Sequence, residues 1–203
     1  MSGWLTLKQP TRRVENRVRG SRFIARAVPA TSREVVDTVL QEVRQAFPDA
    51  THICYAYRLA TDRSEPEEFS TDAGEPGGSA GAPILNGLRQ QDIVDAMISV
   101  VRYYGGTKLG IPGLIEAYGG AARSSLENAS KVPWINMAEL QLVLPYTLVD
   151  RVKGEVRKLG GKILQEDYAS DAAITCQIPR DQAPEFRARL KEWGSGAISV
   201  SDR

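Results

Sequence analysis

Glu75 is the residue whose neighbours in the sequence most invite chemistry. It lies in Gly74-Glu75-Pro76-Gly77-Gly78-Ser79-Ala80-Gly81, three residues after Asp72. A carboxylate pair on a loop can move protons or hold a cation; solvated loop acids are the plainer reading. Pro76 keeps Glu75 extended, which restricts where its carboxylate points. Gly74, Gly77, Gly78 and Gly81, with Ser79 among them, let backbone N–H groups approach a ligand without obstruction from side chains. Ahead of a helix, such a loop can cradle a phosphate, although no Gly-Lys-Ser/Thr closes it as in a P-loop. His52 is the only histidine. It shares a face of a predicted strand with Cys54, a spacing that admits a cysteine–histidine dyad. With no third orienting group in view, a small buried thiol and a partnered histidine are the simpler reading. A metal would need His52, Asp72 and Glu75 together, and the spacing does not require it. No catalytic residue, metal or cofactor is assigned; Glu75, His52 and Asp72 are the candidates should the protein be an enzyme.

A second glycine-rich loop follows Arg102-Tyr103-Tyr104 and runs Gly105-Gly106-Thr107-Lys108-Leu109-Gly110-Ile111-Pro112-Gly113. Aromatic and cationic side chains at the end of a strand can stack on bases and grip phosphates. The alternative is that one tyrosine packs inward and the other points out. The dinucleotide-binding fingerprint is absent, because the glycines are wrongly spaced. Glycine clusters also serve only as turns and close helix–sheet contacts. Two such loops around one helix and one strand favour a single shared surface, and the expectation is one anion-attracting recess built from both.

The elements that must position these loops can be read from periodicity. Residues 12–18 alternate loosely, and 21–28 read as a strand with Phe23 and Ala25 on one face. Ser32 is a helix N-cap ahead of Val35, Val36, Val39, Leu40 and Val43. A strand covers 51–58, a polar loop 61–68, and a short helix starts near Ile84 with Pro83 in its first turn. A buried strand ends at Tyr104, and a helix runs from Leu114 to Asn128. Residues 131–134 are the candidate linker. Beyond it the order is strand 139–144, helix 147–159, strands 163–168 and 172–178, a helix opened by Asp181, and strand 197–200. That is βαββαβ, the ferredoxin-like split motif. The fold class is α+β, with domains at 1–132 and 136–203.

The chain has 203 residues, 42% of them hydrophobic and 25% charged, as in ordinary globular domains. No apolar run reaches the roughly 18 residues of a membrane span, and the first residues lack a secretory signal. Two distant cysteines exclude a disulfide framework and fit a reducing cytoplasm. Net charge is +1, unevenly spread. Residues 1–33 carry eight basic side chains against Glu15 alone, whereas residues 42–75 carry eight acids. A basic start suits an anionic partner such as RNA or a ribosome surface; a strand with a solvated basic face is the other reading.

Five segments together resemble the YigZ/IMPACT family. They are Gly20 to Ala25, His52 to Tyr57, Asp72 to Leu85, Val100 to Gly110 and Gly113 to Gly119. The resemblance covers essentially the whole chain. It implies an N-terminal domain of the ribosomal-protein-S-five domain-2-like kind and a ferredoxin-like C-terminal domain, similar to domains IV and V of elongation factor G. It also implies a role in translation, since eukaryotic relatives interfere with activation of the general-control kinase of translation initiation. Where the family usually has Ser-Asp-Asp-Gly-Glu-Pro, this chain has Thr71-Asp72-Ala73-Gly74-Glu75-Pro76, so a second acid is missing and a paired-carboxylate or metal mechanism is weakened.

These readings favour a non-enzymatic protein that binds RNA or the ribosome and modulates translation. Arg22, Arg102, Tyr104 and Lys108 are the expected contacts, with Tyr103, Gly105 and Gly106 beside them. One rival is an enzyme acting on a small phosphorylated molecule through Glu75 and His52. Another is a protein–protein adaptor that uses the ferredoxin-like sheet and a protein partner. No membrane partner is expected.

Overall fold

Residues 21–29 alternate between two apolar faces, and that alternation sets the layers of the N-terminal half. The computed structural model describes residues 3–61, 65–194 and 196–202. They form two units, the first ending at Trp134 and the second beginning at Ile135. In the first unit the strands are β1 (Leu5–Leu7), β2 (Val14–Val18), β3 (Ser21–Pro29), β4 (His52–Leu59), β5 (Glu67–Thr71), β6 (Ala96–Tyr103) and β7 (Lys131–Pro133). The helices are α1 (Arg33–Ala46), α2 (Gly81–Arg89) and α3 (Gly110–Glu127). Five strands form one antiparallel sheet in the order β2-β3-β6-β4-β5. Phe23, Ala25, Ala27, Cys54, Ala56, Ile98 and Val100 face α2 and α3. Ile24, Val28, Tyr57, Met97 and Val101 meet Val36, Leu40 and Val43 of α1 on the other side. The central strand β6 is buried on both faces from Ala96 to Arg102, which is why it reads as a continuous apolar run. Ser32 caps α1 by accepting the Val35 N–H.

Several sequence-based boundaries shift: the last strand, expected at 197–200, is Ser199–Asp202, the short helix begins at Gly81, and the helix expected to open at Asp181 begins at Ala183. The polar stretch 61–68 does not stay a loop throughout: β5 begins at Glu67, while residues 62–64 lie outside the described residues. β5 is an edge strand held by polar pairs. Arg58 and Arg89 bind Glu68, Arg33 and Tyr57 bind Glu67, and Phe69, the strand's one apolar residue, lies against Tyr55 and Tyr57, so its apolar signal is weak. The proposed linker is partly β7, which pairs with β1, while Trp134 packs edge-on against Trp4. The helix expected from Leu114 already starts at Gly110, taking the end of the second glycine loop into its first turn.

The second unit contains β8 (Met137–Leu144), α4 (Tyr146–Lys158), β9 (Lys162–Tyr168), β10 (Ala172–Pro179), α5 (Ala183–Gly194) and β11 (Ser199–Asp202). Its sheet order β11-β8-β10-β9, all antiparallel, is the ferredoxin-like arrangement. Leu140, Leu142, Ile174, Val152, Val156, Phe186 and Leu190 form its core.

The two-residue turn between β2 and β3 has positive φ at both Arg19 and Gly20, the backbone that matches strand twist in tight hairpins. Gly105 lies flat against it: a Cβ on Gly105 would stand 2.0 Å from the Gly20 carbonyl carbon. Gly105→Ala should therefore destabilise the protein by at least about 1 kcal/mol, seen as a lower melting temperature. Gly77→Ala, whose methyl would meet nothing within 4 Å, should stay within about 0.5 kcal/mol of wild type. Equal melting temperatures for the two variants would contradict this packing.

Candidate functional site

Sheet register places Phe23 opposite Arg102 and Arg102 opposite His52. Residues paired this way leave the same face, here the face covered by α2 and α3. The segment 72–80, between β5 and α2, comes over this row and sets Glu75 upon it. Arg102 Nη1 donates to Glu75 Oε1 at 2.6 Å, and Nη2 donates to Ser21 Oγ at 3.4 Å. The Tyr118 hydroxyl of α3 donates to the same Oε1 at 2.8 Å. His52 Nε2 stands 3.9 Å from that oxygen, and His52 Nδ1 lies 3.0 Å from the Ala73 carbonyl oxygen. The Arg102 and Glu75 side chains are only 6% and 4% exposed. The guanidinium also lies over the rings of Phe23 and Tyr104, 5.5 Å from each centroid. Those ring faces attract it, and they lie beside Arg102 Nε, the one buried side-chain polar atom without a hydrogen-bond partner among the described residues.

Glu75, His52 and Arg102, singled out from the sequence, therefore meet, but as an interior cluster. Arg102 was expected at the surface as a contact for RNA; its burial beneath Glu75 corrects that. A buried ion pair gains its attraction in low dielectric and loses hydration, so its net worth is small, yet removing one partner strands a charge.

Asp72 closes the first glycine loop on itself. Its carboxylate accepts the N–H groups of Gly78, Ala80 and Gly81, each at 2.8 Å. Those are the donors that a phosphate cradle in this loop would use, so the expected cradle is filled from within. Burial pushes the Asp72 carboxyl up, and the three N–H bonds more than offset it, leaving its pKa below the ordinary value. Ser79 is buried with its hydroxyl on the Pro76 carbonyl. Gly81 sits against the Thr71 backbone, where a Cβ would come within 2.8 Å. Gly74, Gly77 and Gly78 stay exposed.

Cys54 is a free, buried thiol. Its sulfur lies 3.0 Å from the Asp72 carbonyl oxygen and 3.4 Å from the Tyr118 hydroxyl, and burial pushes its pKa up to about 12. The thiol serves these neighbours and makes no dyad with His52. Burial likewise pushes the Tyr118 hydroxyl up, which keeps it a donor to Glu75. Periodicity places Tyr118 in an apolar helical stripe. The clue to its polar role is that a buried tyrosine hydroxyl needs a partner.

The second loop meets a different neighbour. Gly105 packs on Gly20, and its N–H donates to Ser21 Oγ. Tyr104 is 47% exposed. Tyr103 donates its hydroxyl to Asp49, while its ring lies under Arg22, which also pairs with Glu15. Gly106 and Lys108 are exposed. Arg17 and Arg19 on the hairpin, with Leu109, Pro112, Gly113 and Glu116 at the start of α3, line a recess of about 660 Å³. No side chain caps α3, so its first-turn N–H groups and helix dipole favour an anion there. Arg17 is offset by Glu15, and Glu116 by Arg123. The two glycine loops thus flank one end of the sheet and are linked through Arg102 and Ser21. The basic recess, however, belongs to the hairpin and the second loop, which sequence spacing could not pair.

Among the described residues, no group of three or more His, Cys, Asp or Glu side chains is placed to hold a metal. None of the described helices is long and apolar enough to cross a membrane.

Comparison with known proteins identifies the family. Residues 19–126 match the Impact N-terminal domain, and residues 142–197 match a domain of unknown function, DUF1949. The chain is 32% identical over 201 residues to IMPACT family member YigZ of Escherichia coli (strain K12), covering 98% of both chains. It is 39% identical over 140 residues to an IMPACT family member of Thermus thermophilus, covering 69% of this chain and 74% of that one. A solved structure described as a hypothetical protein superposes with a TM-score of 0.74 at 29% identity, over 98% of this chain and 97% of the other. The chain belongs to the IMPACT family.

Two substitutions test the interior cluster. Glu75→Ala leaves Arg102 buried and unpaired, and should lower stability by about 3–5 kcal/mol in denaturant unfolding. The double variant Glu75→Leu/Arg102→Met should recover most of that loss; failure to recover would mean the pair is more than an internal salt bridge. Because the folded-state pKa of Asp72 is depressed, its contribution is present above the ordinary carboxylate pKa and drains as pH falls through the folded value. Asp72→Asn should lower stability at pH 7 by about 0.5–2 kcal/mol, as for a lost helix cap. It should also flatten the acid limb of a stability–pH curve; an unchanged limb would contradict the three N–H bonds.

Proposed function

We propose that this protein binds RNA, free or on the ribosome, through the hairpin and the second glycine loop, and thereby modulates translation. The observation that carries this reading is the pair of unneutralised cations on the hairpin turn and the second loop. Arg19, which lines the recess, and Lys108, two residues before α3, are exposed, and neither makes an ion pair among the described residues. They lie on segments that meet through the Gly105–Gly20 contact, and Lys108 stands just ahead of an uncapped helix start. Phosphates are the anions that such separated cations suit. Membership of the IMPACT family supports the translational side, because the family resemblance implies that role.

The rival use of Glu75 and His52 as an acid–base pair is weaker on geometry. Glu75 is nearly fully buried and already accepts from Arg102 and Tyr118.

Fluorescence anisotropy with labelled RNA, together with co-sedimentation with ribosomes, tests the proposal. About four phosphate contacts give a slope near −3 in log affinity against log salt for single strands. Affinity should then drop on the order of 50-fold between about 50 and 200 mM salt. Lys108→Ala and Arg19→Ala should each reduce the slope by roughly 0.7. Absence of binding to RNA and ribosomes at low salt, or binding indifferent to salt, would overturn it.

A further inference from the structure

The aromatic and cationic side chains of the interior cluster continue outward to the surface. Tyr118 meets Phe23 edge-on, with ring centroids 5.1 Å apart. Phe23 lies against the Arg102 guanidinium, and the guanidinium lies against Tyr104. The last member is about half exposed. Its hydroxyl makes no hydrogen bond among the described residues. By contrast, Tyr57, Tyr103 and Tyr118 all place their hydroxyls on carboxylates. The inner face of the Tyr104 ring covers Arg102, and about half of the side chain remains exposed.

We propose that Tyr104 is a stacking platform for an unpaired base, so that the nucleic acid taken by this protein is single-stranded RNA rather than a duplex. This rests on the RNA-binding reading above and specifies its substrate. One side of the ring is fixed on Arg102, which Glu75 and Ser21 hold in place. A side chain already ordered in this way loses little freedom when a base lands on it. Any base offers a π-face for stacking, whereas duplex bases are already stacked on each other. Gly105, the next residue, touches the turn that carries Arg19, and Lys108 lies four residues on. The turn and the loop that adjoin the platform thus each carry a cation for the backbone of the same strand.

The test compares a labelled single-stranded RNA of about 12 nucleotides with the same strand annealed to its complement. Wild type should bind the single strand about tenfold or more tighter. Tyr104→Ala should weaken single-strand binding about 5- to 100-fold, leave the salt slope unchanged, and shift duplex binding less than twofold. Tyr104→Leu keeps apolar bulk without a π-face and should lose single-strand affinity in the same way, which guards against a folding defect in the alanine variant. Tyr104→Trp should bind the single strand at least as tightly as wild type. Equal losses on single strand and duplex, no loss in either variant, or a preference for duplex would overturn the stacking role while RNA binding stands. If wild type binds neither RNA, the RNA-binding reading fails and the platform falls with it.

Discussion

A buried carboxylate and a buried guanidinium, Glu75 and Arg102, meet at one end of the N-terminal sheet, and the arrangement around them follows from their need for each other. Neither charge could be left in that interior alone. The pair draws the glycine-rich segment 72–80 down onto β4 and β6, and it recruits the Tyr118 hydroxyl from α3. His52 stands at the rim of the same carboxylate. The small residues around Glu75 allow the chain to come this close: at Gly81 even a methyl would collide with the Thr71 backbone. What looks in sequence like an open loop around an acid is an inward fold of chain around an ion pair.

This has an electrostatic consequence for function. The loop N–H groups that could have met a phosphate are taken by Asp72, and Arg102 is taken by Glu75. Beside the recess, Arg19 on the hairpin turn and Lys108 on the second loop remain for an outside partner. Arg102 still reaches the surface indirectly, because it fixes the inner face of the Tyr104 ring. One side chain thus serves both the interior and the exposed aromatic.

Much of this is legible in the sequence, for identifiable reasons. β6 is a continuous apolar run, α1 has a clean cap and stripe, and the second unit alternates regularly enough to give its βαββαβ order. β5 is not legible, because apart from Phe69 its side-chain contacts with other elements are Arg–Glu and Tyr–Glu pairs, which look like solvated charge. The burial of Arg102 is also hidden: an arginine at a strand end reads as a surface cation until its register partners are known. Glycine-rich composition signals close approach, but not whether the approaching group is a ligand, as phosphate cradles require, or the protein's own backbone, as at Gly105 and Gly20. Family resemblance supplied the expectation of a role in translation, which no single residue here encodes.

The division between an internally satisfied first loop and an open basic second loop can be tested by mapping backbone amide chemical shifts during titration with single-stranded RNA. Shifts should concentrate at residues 17–20 and 104–113, with the amides of Gly78, Ala80 and Gly81 unmoved because Asp72 holds them. Shifts centred on residues 74–81 instead would mean that the first loop opens to its ligand, and would contradict the burial of Glu75 and the closure of the loop by Asp72.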